Sequence, residues 1–543
     1  MTTGQQVDAG DGAAPVRDTE DVDRPSEIFP SITTPTQPTR HARPHRGMDV
    51  LPSSSFRTGR FGRMFRHLPV FEHQDGPLHA LAERMVPAAG GPPTDQNPDI
   101  PSGYTYLGQF IDHDITFDPV SSLQRQNDPD ALHNFRTPRF DLDSVYGRGP
   151  ADQPYLYEST GGRVKMKLGE DVGVVPGITS GGGPDLPRNE PRRRGDEELF
   201  FGRALIGDPR NDENILVSQL HLTMLQFHNA VTDIVAASSP LTGDNLFKEV
   251  QRVVRWHYQW VVVHDFVRRI AGDAVVDDIL RPEPYAADSQ QIQLVQPRFR
   301  FYRPAVDAFM PVEFAVAAYR FGHSMIRGRY HINEFVRDAR AGAPIPIFGP
   351  EEPPQELENL NGFRRLPPQW AVEWKFLFDT HDVDPAEPSP VQPSLLIDSR
   401  LAGPLGTLPA SVASDPPASL AARNLLRGQR LGLPAGTTVA KAMGITPLSP
   451  EELGIADLDQ QLAQFPPLWF YVLKEAEVLQ VGRRLGPVGG RIVAEVLLGI
   501  LAQDPLSYLN VEPNFRPDPA LARADGTFDM PQLIRVAKTG SAT

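Results

Sequence analysis

Residues 213–236 read ENILVSQLHLTMLQFHNAVTDIVA, and their apolar positions decide the fold class. Leu216, Leu220, Met224, Phe227, Val231 and Ile234 recur at steps of three and four, so a helix gathers them into one buried stripe. The pattern extends outward on both sides. Phe247, Val250, Val254, Tyr258, Val261 and Val262 line a second helix over about 244–270. Further helices are predicted near 104–113, 311–325, 418–430, 466–479 and 487–501. Strand-like alternation is scarce; 164–168 and 291–295 are the two candidates, each a short edge hairpin. The expected fold is mainly α, with few short strands.

The 56 prolines and 45 glycines among 543 residues must sit largely in connections, because proline removes a donor and clashes inside helices. Residues 342–417, rich in Pro, Glu and Ser, are expected as long surface loops. Residues 1–45 carry few large apolar side chains and are expected to be a disordered tail. The expected organisation is a single domain over 46–515 and a C-terminal tail over 516–543.

A formal charge of −15, from 53 basic and 68 acidic residues, disfavours nucleic acid and anionic membrane as partners. The short basic stretches at 40–46 and 192–194 read as solvated loops. There is no cysteine, so a disulfide-linked dimer and thiolate chemistry are excluded, and a metal must use His, carboxylate or carbonyl ligands. The N-terminus lacks a secretory layout and the apolar run near 492–501 is too short for a span. A soluble protein is expected, cytoplasmic or exported without a recognisable signal, with its oligomeric state open.

Four segments carry chemistry. In Gly108-Gln-Phe-Ile-Asp-His-Asp-Ile-Thr-Phe-Asp118, a helix puts Gln109, Asp112 and His113 on one face, and Asp114 about 100° away. Gly207-Asp-Pro-Arg-Asn-Asp-Glu213 sets Arg210 and Glu213 three apart at a helix start. In Ala318-Tyr-Arg-Phe-Gly-His-Ser-Met325, Arg320 and His323 share a face, and Asn424 and Arg427 are spaced alike in Arg423-Asn-Leu-Leu-Arg-Gly-Gln-Arg430. Singly, a histidine among aspartates is more often a hydrogen-bonded structural residue, and Arg210 with Glu213 more often caps a helix.

Taken in order, the four segments resemble the animal-type haem peroxidase family, of the peroxidase–cyclooxygenase superfamily, in a bacterial-looking version. The likeness runs from about residue 55 to 510. It implies haem b, with His113 as the distal histidine, His323 as the proximal iron ligand, and catalytic roles for Arg210 and Gln109. A neutral imidazole can move a proton between peroxide oxygens, and Arg210 would stabilise the charge that develops between them. The resemblance implies that the Asn424 carbonyl accepts from His323, and that Arg320 and Arg427 meet the haem propionates. Asp112 and Glu213 stand where relatives form ester bonds to haem. Asn214 stands where some carry a methionine for a third link, which removes that link and part of the case for chloride oxidation. Thr137-Pro-Arg-Phe-Asp-Leu-Asp-Ser-Val-Tyr-Gly147 resembles the family's calcium loop, with Asp114, Asp141, Asp143, the Thr137 hydroxyl and the carbonyls of Thr137 and Arg139 as oxygen ligands.

The implied activity is reduction of hydrogen peroxide with oxidation of a small organic donor, halide or thiocyanate. A fatty-acid dioxygenase of the same superfamily would need a tyrosine three residues before His323, where Arg320 stands; Tyr319 is four before. A non-enzymatic adhesion or scaffold protein would be favoured had His113, Arg210 or His323 been absent. The pairs His221 and His228, and His257 and His264, are expected to pack in the core or on the surface, like the Trp256-His-Tyr-Gln-Trp260 cluster.

Overall fold

A computed structural model describes residues 59–542 apart from 88–94, 119–122, 125, 130–131, 174–179, 190–192, 195–196, 199–201, 281–296, 306, 340–341, 350–357 and 381–387. Its longer helices are α1 (Asp75–Arg84), α2 (Gly103–Ile115), α3 (Ile215–Ser238), α4 (Gly243–Val261), α5 (Leu420–Arg430), α6 (Leu468–Gln480), α7 (Pro487–Gln503) and α8 (Met530–Thr539). The fold is mainly α, as expected. The expected tail over 1–45, the strand at 291–295 and the basic stretch at 40–46 lie outside the described residues.

The start of α3 is fixed by Asn214, whose side-chain oxygen accepts from the Val217 N–H at 2.8 Å. Its stripe of Leu216, Leu220, Phe227 and Val231 is buried against α2, α4 and α8. α4 runs on through a π-helical turn, Val262–Val267, into Arg268–Ala271, and stops at Gly272, where φ is +88°. Strands are short: Gly59–Gly62 pairs antiparallel with His133–Asn134 and parallel with Met310–Pro311, and Gln96–Pro101 pairs with Pro393–Leu395.

Three expectations are corrected. Residues 164–168 form no strand beyond a bridge between Tyr157 and Met166. The Asn229 side chain on α3 takes both the N–H (2.8 Å) and the carbonyl (2.9 Å) of Met166, the groups a ladder would need. The stretch 516–543 is no tail. Asp529 caps α8, which buries Met530, Leu533, Ile534 and Val536 on α3, and the Met530 N–H donates to Asp265 at 3.0 Å. Finally, 311–325 is not one regular helix: a π turn, Glu313–Ala317, breaks at Ala317 (φ −125°, ψ −77°) into a 3-10 turn, Ala318–His323. A tertiary bond takes one helical acceptor there, since Trp469 donates to the Arg320 carbonyl at 3.1 Å, and Tyr319 donates its hydroxyl to the Gly108 carbonyl at 3.1 Å. Because residues three apart eclipse in a 3-10 turn, Arg320 and His323 still share a face.

Candidate functional site

The half of the site around His113 is built on α2. Its i, i+3, i+4 face presents Gln109, Asp112 and His113 as the spacing requires. His113 is 5% exposed, its Nδ1 lies 2.8 Å from Asn211 Oδ1, and its Nε2 lies 3.7 Å from Glu213 Oε1. Burial and the nearby Arg210 charge push this imidazole down to about 3, so it is neutral near pH 7. The Gln109 amide donates to Glu213, and its carbonyl accepts from Asn214 at 3.1 Å. Asp112 accepts from the Thr116 hydroxyl at 2.8 Å; burial raises its carboxyl, an effect that Arg210 and Arg320 partly offset.

Arg210 makes its directed bonds at the end of α2. Its Nη2 donates to the carbonyls of His113 (2.9 Å) and Thr116 (2.7 Å) and to Asp208 (2.7 Å), while its guanidinium lies 4.5 Å over the Phe117 ring. Towards His113 and Asp112 it acts through charge.

The half around His323 corrects one expectation. Asn424 lies against His323 as expected, but its amide nitrogen, not its carbonyl, faces His323 Nδ1, at 2.7 Å. The carbonyl accepts instead from Arg320 Nη1 at 2.9 Å, because a guanidinium only donates and claims the oxygen. Burial and Arg320 push His323 down to about 3. Burial and the neighbouring Arg427 bring Arg320 down to about 10, and burial lowers Arg427, 3.9 Å from Asp118.

The two halves meet. Tyr319 bonds across to Gly108 on α2, and the Asp112 carboxylate feels Arg320 from the other side. Gln109, Asp112, Glu213, Arg320, His323 and Arg427 keep accessible surface, although Asp112, Arg320, His323 and Arg427 are strongly desolvated. Side chains with both properties are what the wall of an internal space would present, and a Cβ at Gly322 would meet nothing within 4 Å. Neutral imidazoles and two guanidiniums around such a space suit the iron and propionates of a haem.

Beside α2, carboxylate oxygens of Asp114, Asp141 and Asp143 come within 4.8 Å of one another, all three buried. Burial and Asp143 push Asp141 up to about 7, and burial with both neighbours drives Asp114 well above its ordinary value. The Thr137 hydroxyl is 3.5 Å from Asp141, and the Thr137 carbonyl accepts from the Arg139 N–H at 2.8 Å. Crowded hard oxygens of this kind suit a divalent cation.

Four residues have site roles that the sequence reading does not assign, His221 being expected only to pack. Arg136, buried, donates to Asp143 at 2.8 Å and through Nε to Asp208 at 3.1 Å, and Asp208 holds Arg210. Burial opposes ionisation of Asp208, yet Arg136 and Arg210 hold it far below the ordinary carboxylate range. Asn211 and His221 stand behind His113. The sequence offered only their nearness to Arg210, Thr137 and α3. The remaining histidine pairs pack as expected: His228 against Tyr146 and the Val164 carbonyl, His257 against the Val253 carbonyl, and His264 stacked on Trp260.

Residues 114–359 match the family model described as animal haem peroxidase. A peroxidase-like protein of Margaritifera margaritifera is 24% identical over 495 residues, covering 80% of this chain and 57% of that relative, so the chain spans little more than half its length. The structure of peroxidase A from Dictyostelium discoideum superposes with a TM-score of 0.57 at 16% identity, over 93% of this chain and 98% of the other. A fatty acid alpha-dioxygenase of Arabidopsis thaliana gives 0.53 at 14% identity, over 90% and 77%. At these identities the structural likeness is one of fold. The likeness to the animal haem peroxidase family model therefore rests on residues 114–359, and the solved structures add a shared fold.

Proposed function

We propose that the protein is a haem-dependent peroxidase that reduces hydrogen peroxide to water with electrons from a small organic donor, a halide or thiocyanate. The observation that carries the reading is the pair of neutral imidazoles, buried His113 and half-buried His323, on segments tied together by the Tyr319 to Gly108 bond. Haem, when bound, supplies the redox-active iron. His323 would ligate it, Arg320 and Arg427 would pair with its propionates, and Asp112 and Glu213 are the carboxylates available for ester links.

The chain's own part in the reaction is proton handling. His113, neutral near pH 7, takes a proton at Nε2 from one peroxide oxygen and returns it to the other, so that water departs in place of hydroxide. Gln109 and Glu213 border that nitrogen, and the Arg210 charge favours negative charge developing nearby. Calcium at Asp114, Asp141 and Asp143, with Thr137 and the Arg139 carbonyl, would hold the residue next to His113 and so steady α2. The dioxygenase reading has little support, since Arg320 stands where its tyrosine is needed and the Tyr319 hydroxyl is engaged with Gly108.

The test is peroxide-dependent oxidation of a phenolic dye by the haem-loaded chain. His113→Gln should slow it by about 10²- to 10⁴-fold, the usual worth of a positioned general base. Activity unchanged by that substitution would overturn the assignment.

A further inference from the structure

Asn211 lies inside the Arg210 to Glu213 motif and is not one of its named positions. Asn211 is fully buried between two imidazoles: its Oδ1 is 2.8 Å from His113 Nδ1, and its Nδ2 is 3.0 Å from His221 Nδ1. An amide has one accepting end and one donating end, so one amide between two rings imposes opposite states on them. With Oδ1 towards His113, that ring carries its proton on Nδ1 and presents a lone pair at Nε2. With Nδ2 towards His221, that ring presents its lone pair at Nδ1 and carries its proton on Nε2.

Asn211 is itself held firmly. It sits in the 3-10 turn Pro209–Asp212, its backbone N–H donates to the Asp208 carbonyl at 3.1 Å, and the Asp208 side chain caps the turn by accepting from the Arg210 N–H at 2.9 Å. His221 stands on α3, fully buried, 6.1 Å from the Phe110 ring between centroids. Its Nε2 has no hydrogen-bond partner among the described residues, so its Nδ1 contact with Asn211 is the bond that places it. On the other side of His113, Glu213 already accepts from the Gln109 amide.

We propose that Asn211, backed by His221, locks His113 in the tautomer with an unprotonated Nε2, which makes both of them positioning residues for peroxide reduction. The inference rests on the reading of His113 as the proton acceptor. If the Asn211 amide were turned over, the His113 proton would sit on Nε2 and the base would be lost.

The tautomers are read directly by nitrogen-15 NMR of histidine-labelled full chain, as purified and after loading with diamagnetic zinc protoporphyrin IX. The expected result is a protonated Nδ1 with a bare Nε2 for His113, and the reverse for His221; the opposite assignment overturns the proposal. Asn211→Leu should leave His113 as a mixture of tautomers and slow the reaction of the haem-loaded chain with peroxide on the order of 100-fold. Asn211→Asp keeps the acceptor and should retain the single tautomer, with a rate within about tenfold of the original. Should Asn211→Leu fail to fold, the labelled native chain and Asn211→Asp still decide. If the chain binds haem and Asn211→Leu reacts at the native rate, the positioning role fails while the peroxidase reading stands. If the native chain binds no haem, the peroxidase reading fails and the NMR assignment alone judges the lock.

Discussion

Burial holds several side chains here in one charge state over a wider pH range than water does. His113 and His323 stay neutral because burial and adjacent guanidiniums penalise their charged forms. A different case is Glu475, buried at the start of α7, where its carboxylate accepts from the N–H groups of Val488 (2.9 Å) and Gly489 (3.2 Å). Burial outweighs those bonds and pushes it up to about 7. In the unfolded chain the same group titrates near about 4.3. Its favourable contribution is therefore fully present below that value and is lost as pH rises to about 7. Glu475→Gln should flatten the fall in thermal stability between these values and stabilise the protein at pH 8 by about 1–3 kcal/mol. A slope unchanged in denaturation curves across pH would contradict this.

Among the elements, those with a regular apolar stripe were legible in advance, and those shaped by distant bonds were not. α3, α4, α6 and α7 lie close to where periodicity put them, because burial of a stripe at steps of three and four needs no partner-specific information. The break at Ala317 was invisible, since it depends on Gly108 and Trp469, far away in sequence. The same holds within the site. His113, Asp112 and Gln109 were placed by spacing along one helix, whereas the Asn424 amide was misread because Arg320 competes for its oxygen. α8 carries its apolar stripe in the sequence, but the short C-terminal segment reads as a tail because its partner α3 is far away in the chain. Its Leu533 is fully buried on the molecule's central helix. Leu533→Ala should therefore cost about 2–5 kcal/mol in chemical denaturation, whereas a true tail residue would cost almost nothing.

At the scale of the whole molecule, the cation loop, the buried ion network and the distal helix form one connected unit. Asp143, Arg136, Asp208 and Arg210 are linked in series, and Arg210 ends on the carbonyls of His113 and Thr116. Calcium bound at Asp114, Asp141 and Asp143 would relieve the repulsion among them. Removing it with a chelator should lower the melting temperature and cost roughly 3 kcal/mol of stability relative to a hundredfold excess over Kd. In Asp141→Ala that difference should vanish. Among the described residues no helix is long and apolar enough to cross a membrane. The central claim, that His113 and His323 flank one haem iron from segments more than two hundred positions apart, is tested most directly by absorption spectra of the haem-loaded chain and its two histidine variants. The account predicts a Soret band that His113→Gln retains, with altered ligand binding, and that His323→Gln loses or shifts to the position of unligated haem. An identical spectrum in the native chain and His323→Gln would contradict it.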